Sequence, residues 1–148
     1  MPIPAFTTDG FLPEGVHACT LAEACDRFGQ FQRTDRRCRL CDRLQEYVRA
    51  AQASGVVRSV IVDGSFTTLK DSPGDIDLIV VALPEDELPA DLRPAEYNAL
   101  SSRNIRRQFG LDVLVAQEGQ VEVDEYVEFF SQVRDRPNLR KGMLRIVL

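Results

Sequence analysis

The chain has 148 residues, 44% hydrophobic and 28% charged, the composition of an ordinary globular domain. At this length one domain buries roughly 68–70% of its unfolded surface. A net charge of −5 and a pI near 4.9 exclude a broad nucleic-acid surface, since non-specific affinity for phosphates needs an excess of Lys and Arg. No apolar stretch approaches the ~20 residues of a membrane span, and the N-terminus shows no basic region leading into an apolar core. A cytoplasmic protein is therefore expected.

In chain order, residues 1–19 are rich in Pro and Gly and read as an extended lead-in that contains His17, to which no role is assigned. Thr20-Leu-Ala-Glu23 has capping-box spacing and predicts a short helix that ends at Gly29. Thr34 is the expected N-cap of the next helix, where Leu40, Cys41, Leu44, Tyr47, Val48 and Ala51 form an apolar stripe that ends at Gly55. The arginines of this region (Arg33, Arg36, Arg37, Arg39, Arg43) and a later set (Arg103, Arg106, Arg107) read as solvated helix faces. The sharper alternative is a channel for a polyanion or a surface for an acidic partner. Cys38 and Cys41 have zinc-like spacing, but Cys19 and Cys25 do not form a second tight pair. The four cysteines are expected to be reduced thiols that serve as small core residues.

Val56–Val62 reads as a buried strand that stops at the tight turn Asp63-Gly64-Ser65. After a loop with Lys70 and the breaker pair Pro73-Gly74, a second strand opens with Asp75 and Asp77. Strand alternation puts both carboxylates on one face. Two neighbouring carboxylates repel unless a cation lies between them, and Mg²⁺ with substrate phosphates removes that penalty. Backbone N–H groups and a hydroxyl at Gly64-Ser65 suit phosphate oxygens.

The Pro-punctuated acidic loop 83–94 reads as solvated. Pro94 then opens a helix with Tyr97, Leu100 and Ile105 inward, closed by Gly110. Leu111–Val115 is a third strand whose single charge, Asp112, either faces solvent at a sheet edge or completes a three-carboxylate cage with Asp75 and Asp77. A further helix starts at Val121 with Val123, Tyr126, Val127, Phe130 and Val133 on one face. Pro137-Asn138 breaks it, and Lys141–Leu148 is a final strand expected at the sheet edge. The fold class is thus an α/β (α+β) sandwich, helices on a mixed sheet, in a single domain. Residues 1–33 form an extension, 34–116 the core, and 117–148 a closing helix and strand.

Gly64-Ser65, Asp75-x-Asp77 and the later Asp112 resemble the signature of the polymerase-β-like nucleotidyltransferase superfamily, whose small members include the minimal nucleotidyltransferases of bacterial toxin–antitoxin pairs. Leu12–His17, Arg27–Gly29 and Lys141–Ile146 are similar to stretches of short bacterial proteins of this type. The resemblance implies transfer of a nucleoside monophosphate from a nucleoside triphosphate to a hydroxyl on protein, RNA or a small molecule. Gly64 and Ser65 would hold the β- and γ-phosphates. Asp75 and Asp77 would bind two Mg²⁺ (or Mn²⁺) ions, and Asp112 would bind the ion beside the acceptor hydroxyl. Lys70 is either an added phosphate contact or a solvated lysine. Thr67 and Thr68 stand where many minimal members carry a basic residue. The chain shows no second domain to hold base or acceptor, which implies a protein partner or a homo-oligomer. The alternative class is a non-catalytic, antitoxin-like binding subunit.

Overall fold

The computed structural model describes residues 3–29, 35–70, 73–74, 76–134 and 136–148; the Thr34 cap, Arg33 and Asp75 lie outside these. Seven strands and five α-helices follow one another as β1 (Gly15–Cys19), α1 (Leu21–Phe28), α2 (Arg36–Ser54), β2 (Val57–Asp63), β3 (Asp77–Ala82), α3 (Pro94–Leu100), α4 (Ser102–Phe109), β4 (Asp112–Gln117), α5 (Val121–Ser131), β5 (Gln132–Val133), β6 (Arg136–Arg140) and β7 (Gly142–Val147). The main sheet is mixed, in the order β1-β7-β2-β3-β4, and β5 and β6 form a separate hairpin. The expected class, helices on a mixed sheet, is what the chain adopts. No helix among the described residues is long and apolar enough to cross a membrane.

Strand alternation sorts the sheet into two faces. Val60, Val62, Leu78, Val80, Val113, Leu144 and Ile146 point into the larger core with α1, α2 and Ile105 of α4. Ile61, Ile79, Val81 and Met143 point the other way and are covered by Val123, Tyr126, Val127 and Phe130 of α5. The capping box at the start of α1 forms as expected, with Glu23 N–H donating to Thr20 Oγ1 and Thr20 N–H to Glu23 Oε1. Tyr47, fully buried on the α2 stripe, donates its hydroxyl to the Ala99 carbonyl at 2.7 Å, and burial pushes its phenol well above the usual range.

Several expectations need correction. The lead-in contains a strand, β1, which pairs in parallel with β7 and moves β7 from the sheet edge to an interior position. The helix expected from Pro94 to Gly110 is two helices, because Ser101 leaves helical angles and caps Asn104 N–H with its side chain. Tyr97 is 55% exposed, and Glu96 and Ala99 are buried in its place. Val133 belongs to β5, not to the helix. The expectation of four reduced thiols fails for one pair: Cys25 of α1 and Cys41 of α2 form a disulfide with Cα atoms 5.9 Å apart. Cys19 is buried and Cys38 exposed, both free.

Candidate functional site

The turn after β2 is built by short-range hydrogen bonds. Gly64 has φ +90, a backbone region that L side chains rarely adopt, so the reversal there demands glycine. Thr67 and Thr68 lock the turn: their hydroxyls donate to the carbonyls of Gly64 (3.2 Å) and Ser65 (2.7 Å). Ser65 Oγ accepts the Gly74 N–H at 3.1 Å, which ties the turn to the chain shortly before β3.

Two arginines at the start of α2 hold the surrounding loop, and neither is a solvated helix-face residue as expected. Arg37 is fully buried and donates to the carbonyls of Phe28, Phe66, Thr68 and Lys70. Its guanidinium also stands 5.6 Å from the Phe66 ring centroid. Arg36 donates to the carbonyls of Pro73 (3.0 Å) and Gly74 (2.8 Å). By contrast Arg39 makes an exposed pair with Asp35, in keeping with a solvated face.

Register brings the acidic side chains together. Asp63 is opposite Asp77 on the antiparallel β2–β3 pair, and Asp77 is opposite Asp112 on the parallel β3–β4 pair. Adjacent strands lie about 4.8 Å apart, and paired positions share a face. Asp63, Asp77 and Asp112 therefore form a row on the α5 side of the sheet, at the end where the Gly64-Ser65 turn sits. The row has a cation at each end. Lys141 Nζ is 3.3 Å from Asp63 Oδ1, and Arg106 Nη1 donates to Asp112 Oδ1 at 2.7 Å. Asp112 lies on the edge strand, exposed, and opposite Asp77.

The three carboxylates differ in environment. Asp63 is 1% exposed, and neither of its oxygens receives a well-formed hydrogen bond among the described residues; Lys141 alone makes an ion pair with it. Burial pushes its pKa from 3.8 up to about 6 and Asp77 adds to the rise, against the pull of Lys141 and the Gly64 N–H. Asp77 is half-buried, and Asp112 is exposed. Lys70, also exposed, lines a cleft of about 380 Å³ with Gly10, Phe11, Ser65, Thr68 and Lys141. Of the expected site residues the structure thus gathers Gly64, Ser65, Lys70, Asp77 and Asp112 at one end of the sheet. Among the described residues no group of three His, Cys, Asp or Glu side chains converges as a ready-made metal cage.

Sequence reasoning missed Asp63, which reads as a turn residue because it precedes Gly-Ser, and Lys141, which follows the last residue of the motif, Asp112, by 29 positions. For Asp63 a signal existed: a carboxylate that ends the run Ser59-Val60-Ile61-Val62 of four apolar or small residues must be buried or turned outward. For Lys141 only the β2–β7 pairing reveals the neighbour.

No curated protein and no solved structure matches the chain. A protein-family comparison does match, across residues 4–147, so this chain belongs to DUF6932, a family of unknown function.

Proposed function

We propose that the protein is a divalent-cation-dependent nucleotidyltransferase that moves a nucleoside monophosphate from a triphosphate to a hydroxyl acceptor. One observation carries this reading: acidic residues at matching register on three adjacent strands, next to a glycine–serine turn. Like charges held in such a row raise the free energy of the fold, and a cation relieves them. The donor set is all oxygen, which fits Mg²⁺ or Mn²⁺. Asp77 and Asp112 would hold it, together with Asp75 of the Asp-x-Asp motif. When bound, it neutralises carboxylates and phosphates at the reacting centre.

The chain's own residues supply the rest. Gly64 and Ser65 present backbone N–H groups and a hydroxyl to the phosphates, and Lys70 adds a flexible ammonium at the cleft rim. The acceptor oxygen attacks the α-phosphorus, its proton passes to the Asp112 carboxylate, and pyrophosphate leaves on the Ser65 side. Arg106 releases Asp112 at small cost, since exposed ion pairs are worth about 0–1 kcal/mol. Arg36 and Arg37 keep the phosphate turn and the strand entry in place throughout.

The Arg106–Asp112 pair also favours a second reading, in which a cation of the chain itself caps the acidic row and the protein is a non-catalytic, antitoxin-like subunit. Incubation with labelled ATP, CTP, GTP or UTP, Mg²⁺ or Mn²⁺ and candidate acceptors separates the two. Transfer that disappears in Asp75→Ala and Asp77→Ala supports the enzyme. Transfer that survives both substitutions refutes the metal assignment. No transfer, with tight binding to a co-encoded protein, supports the subunit.

A further inference from the structure

The buried pair of Lys141 and Asp63 is costly to build. Two charges leave water, and a buried ion pair is often no more stable than a well-packed apolar pair. Lys141 is 17% exposed and Asp63 2% by side chain, so the ammonium is held almost entirely by protein. The backbone fixes it further: Lys141 N–H donates to the Ser131 carbonyl, and the next residue's N–H to the Leu12 carbonyl, both at 2.9 Å. What remains of its surface faces the cleft of about 380 Å³ lined by Ser65, Thr68 and Lys70. The cleft thus has two lysines in its wall. Among the described residues that line it the one carboxylate, Asp9, is paired with Arg136 at 3.2 Å.

A recess with two ammonium groups and a hydroxyl next to the Gly64-Ser65 turn suits a chain of phosphates that runs away from the carboxylate row. We propose that Lys141 is a specificity-determining residue of the nucleotide site, reaching the terminal phosphate of a polyphosphate chain seated in this cleft. The inference deepens the nucleotidyltransferase reading and stands on it. Asp63 then orients the ammonium without being a phosphate ligand itself. Its carboxylate keeps a buried lysine charged and aimed at the cleft while the site is empty. Lys141 gives the site a means to separate triphosphates from monophosphates, because only the longer chain spans from the Gly64-Ser65 turn to the far lysine.

The test is calorimetric titration of inorganic tripolyphosphate and orthophosphate, in EDTA, into wild type, Lys141→Gln, Asp63→Asn and the double variant. Circular dichroism melts check that each is folded. Wild type should prefer tripolyphosphate. Lys141→Gln should weaken that ligand about tenfold, the effect of losing one charge-assisted hydrogen bond, and leave orthophosphate unchanged. Asp63→Asn should weaken tripolyphosphate less than Lys141→Gln does, because the ammonium is kept and only its orientation in the empty site is lost. Should Lys141→Gln fail to fold, the uncharged double variant takes its place with the same expected loss. Equal weakening in Lys141→Gln and Asp63→Asn would make the pair merely structural and overturn the proposal, as would a Lys141→Gln affinity within twofold of wild type. A parallel titration of MgATP separates the two readings: ATP bound equally well by wild type and Lys141→Gln removes Lys141 but spares the nucleotide site. No binding of ATP or tripolyphosphate by wild type removes both.

Discussion

Arg37 offers the sharpest test of how the site loop is held. Its guanidinium is fully buried and satisfies the carbonyls of Phe28, Phe66, Thr68 and Lys70, with distances of 2.6 Å to the last two. Arg37→Met keeps most of the stem's volume and deletes every donor. Each buried carbonyl left without a partner costs about 1–3 kcal/mol, and the first three acceptors here are buried. Part of that loss is returned, because a buried guanidinium is no longer desolvated. The net expectation is a loss of about 2–4 kcal/mol, a large share of the roughly 5–15 kcal/mol that holds a domain together. At this chain length that lowers Tm by about 6–12 °C. Urea unfolding at neutral pH reads the free energy, and hydrogen exchange at Thr67, Thr68 and Leu69 reads the loop. These amides should exchange faster in the variant than the amides of β2. Arg39→Met is the control, since its exposed pair with Asp35 predicts a change under about 0.5 kcal/mol. If Arg37→Met costs no more than Arg39→Met, the loop is held by something else and the assignment of Arg37 is wrong.

Three further outcomes are expected. Asp63 has a folded pKa raised from 3.8 to about 6, so its proton is held more tightly in the folded state; its contribution is complete below pH 4 and is lost as pH rises to 6, about 3 kcal/mol in all. Urea unfolding of wild type and Asp63→Asn at pH 4 and pH 7 should show that difference shrinking against wild type, and a difference flat in pH refutes it. Gly142→Ala should destabilise by about 1–3 kcal/mol in thermal melts, because its Cβ would overlap the Pro13 carbonyl oxygen and push β7 off residues 12–13. Gly55→Ala meets no atom within 4 Å but sits at φ +73, so it measures backbone strain alone. Thiol titration of the unreduced, unfolded protein should count two of the four cysteines, and reduction of the Cys25–Cys41 bridge, 16 residues apart, should cost about 3 kcal/mol on the loop-entropy account. Four reactive thiols would remove the bridge.

Local signals in the sequence carried the centre of the fold. The capping box of α1, the stripe of α2, the apolar runs of β2 and β3 and the face of α5 all depend on neighbours within a few residues, and all formed. What escaped depends on distant pairing. Gly15–Cys19 holds little β-branched or aromatic character and becomes a strand only because β7 runs beside it. Arg37 was misread by type: it lies three residues before Leu40 and four before Cys41, squarely on the buried stripe, but a charged side chain argues for solvent until the carbonyls it meets are known. Ser101 lacks the acidic residue three positions on that marks a capping box, so the break between α3 and α4 left no clear trace. At the site, Asp77 and Asp112 were legible because each interrupts an apolar strand. The Lys141–Asp63 pair was not, since only the β2–β7 pairing brings its segments together, and the Arg106 contact and the arginine scaffold were not, since they depend on how helices α4 and α2 pack.

That order explains why the charges collect where they do. β2 runs antiparallel to β3, so the end of one strand meets the start of the next, and β4 runs parallel to β3 and starts level with it. The carboxylates at the last position of β2 and the first positions of β3 and β4 must therefore share one edge of the sheet. β7 runs antiparallel to β2, so its start, preceded by Lys141, arrives at the same edge. A fold that needed only stability would place polar, uncharged residues at three adjacent strand ends. Instead one carboxylate is buried against a lysine, a second faces it across the pairing, and a cation stands at each end of the row. Asp77 stands at the centre of that row, opposite Asp63 on one side and Asp112 on the other, so it is the substitution that reaches both neighbours at once and the one with which to start.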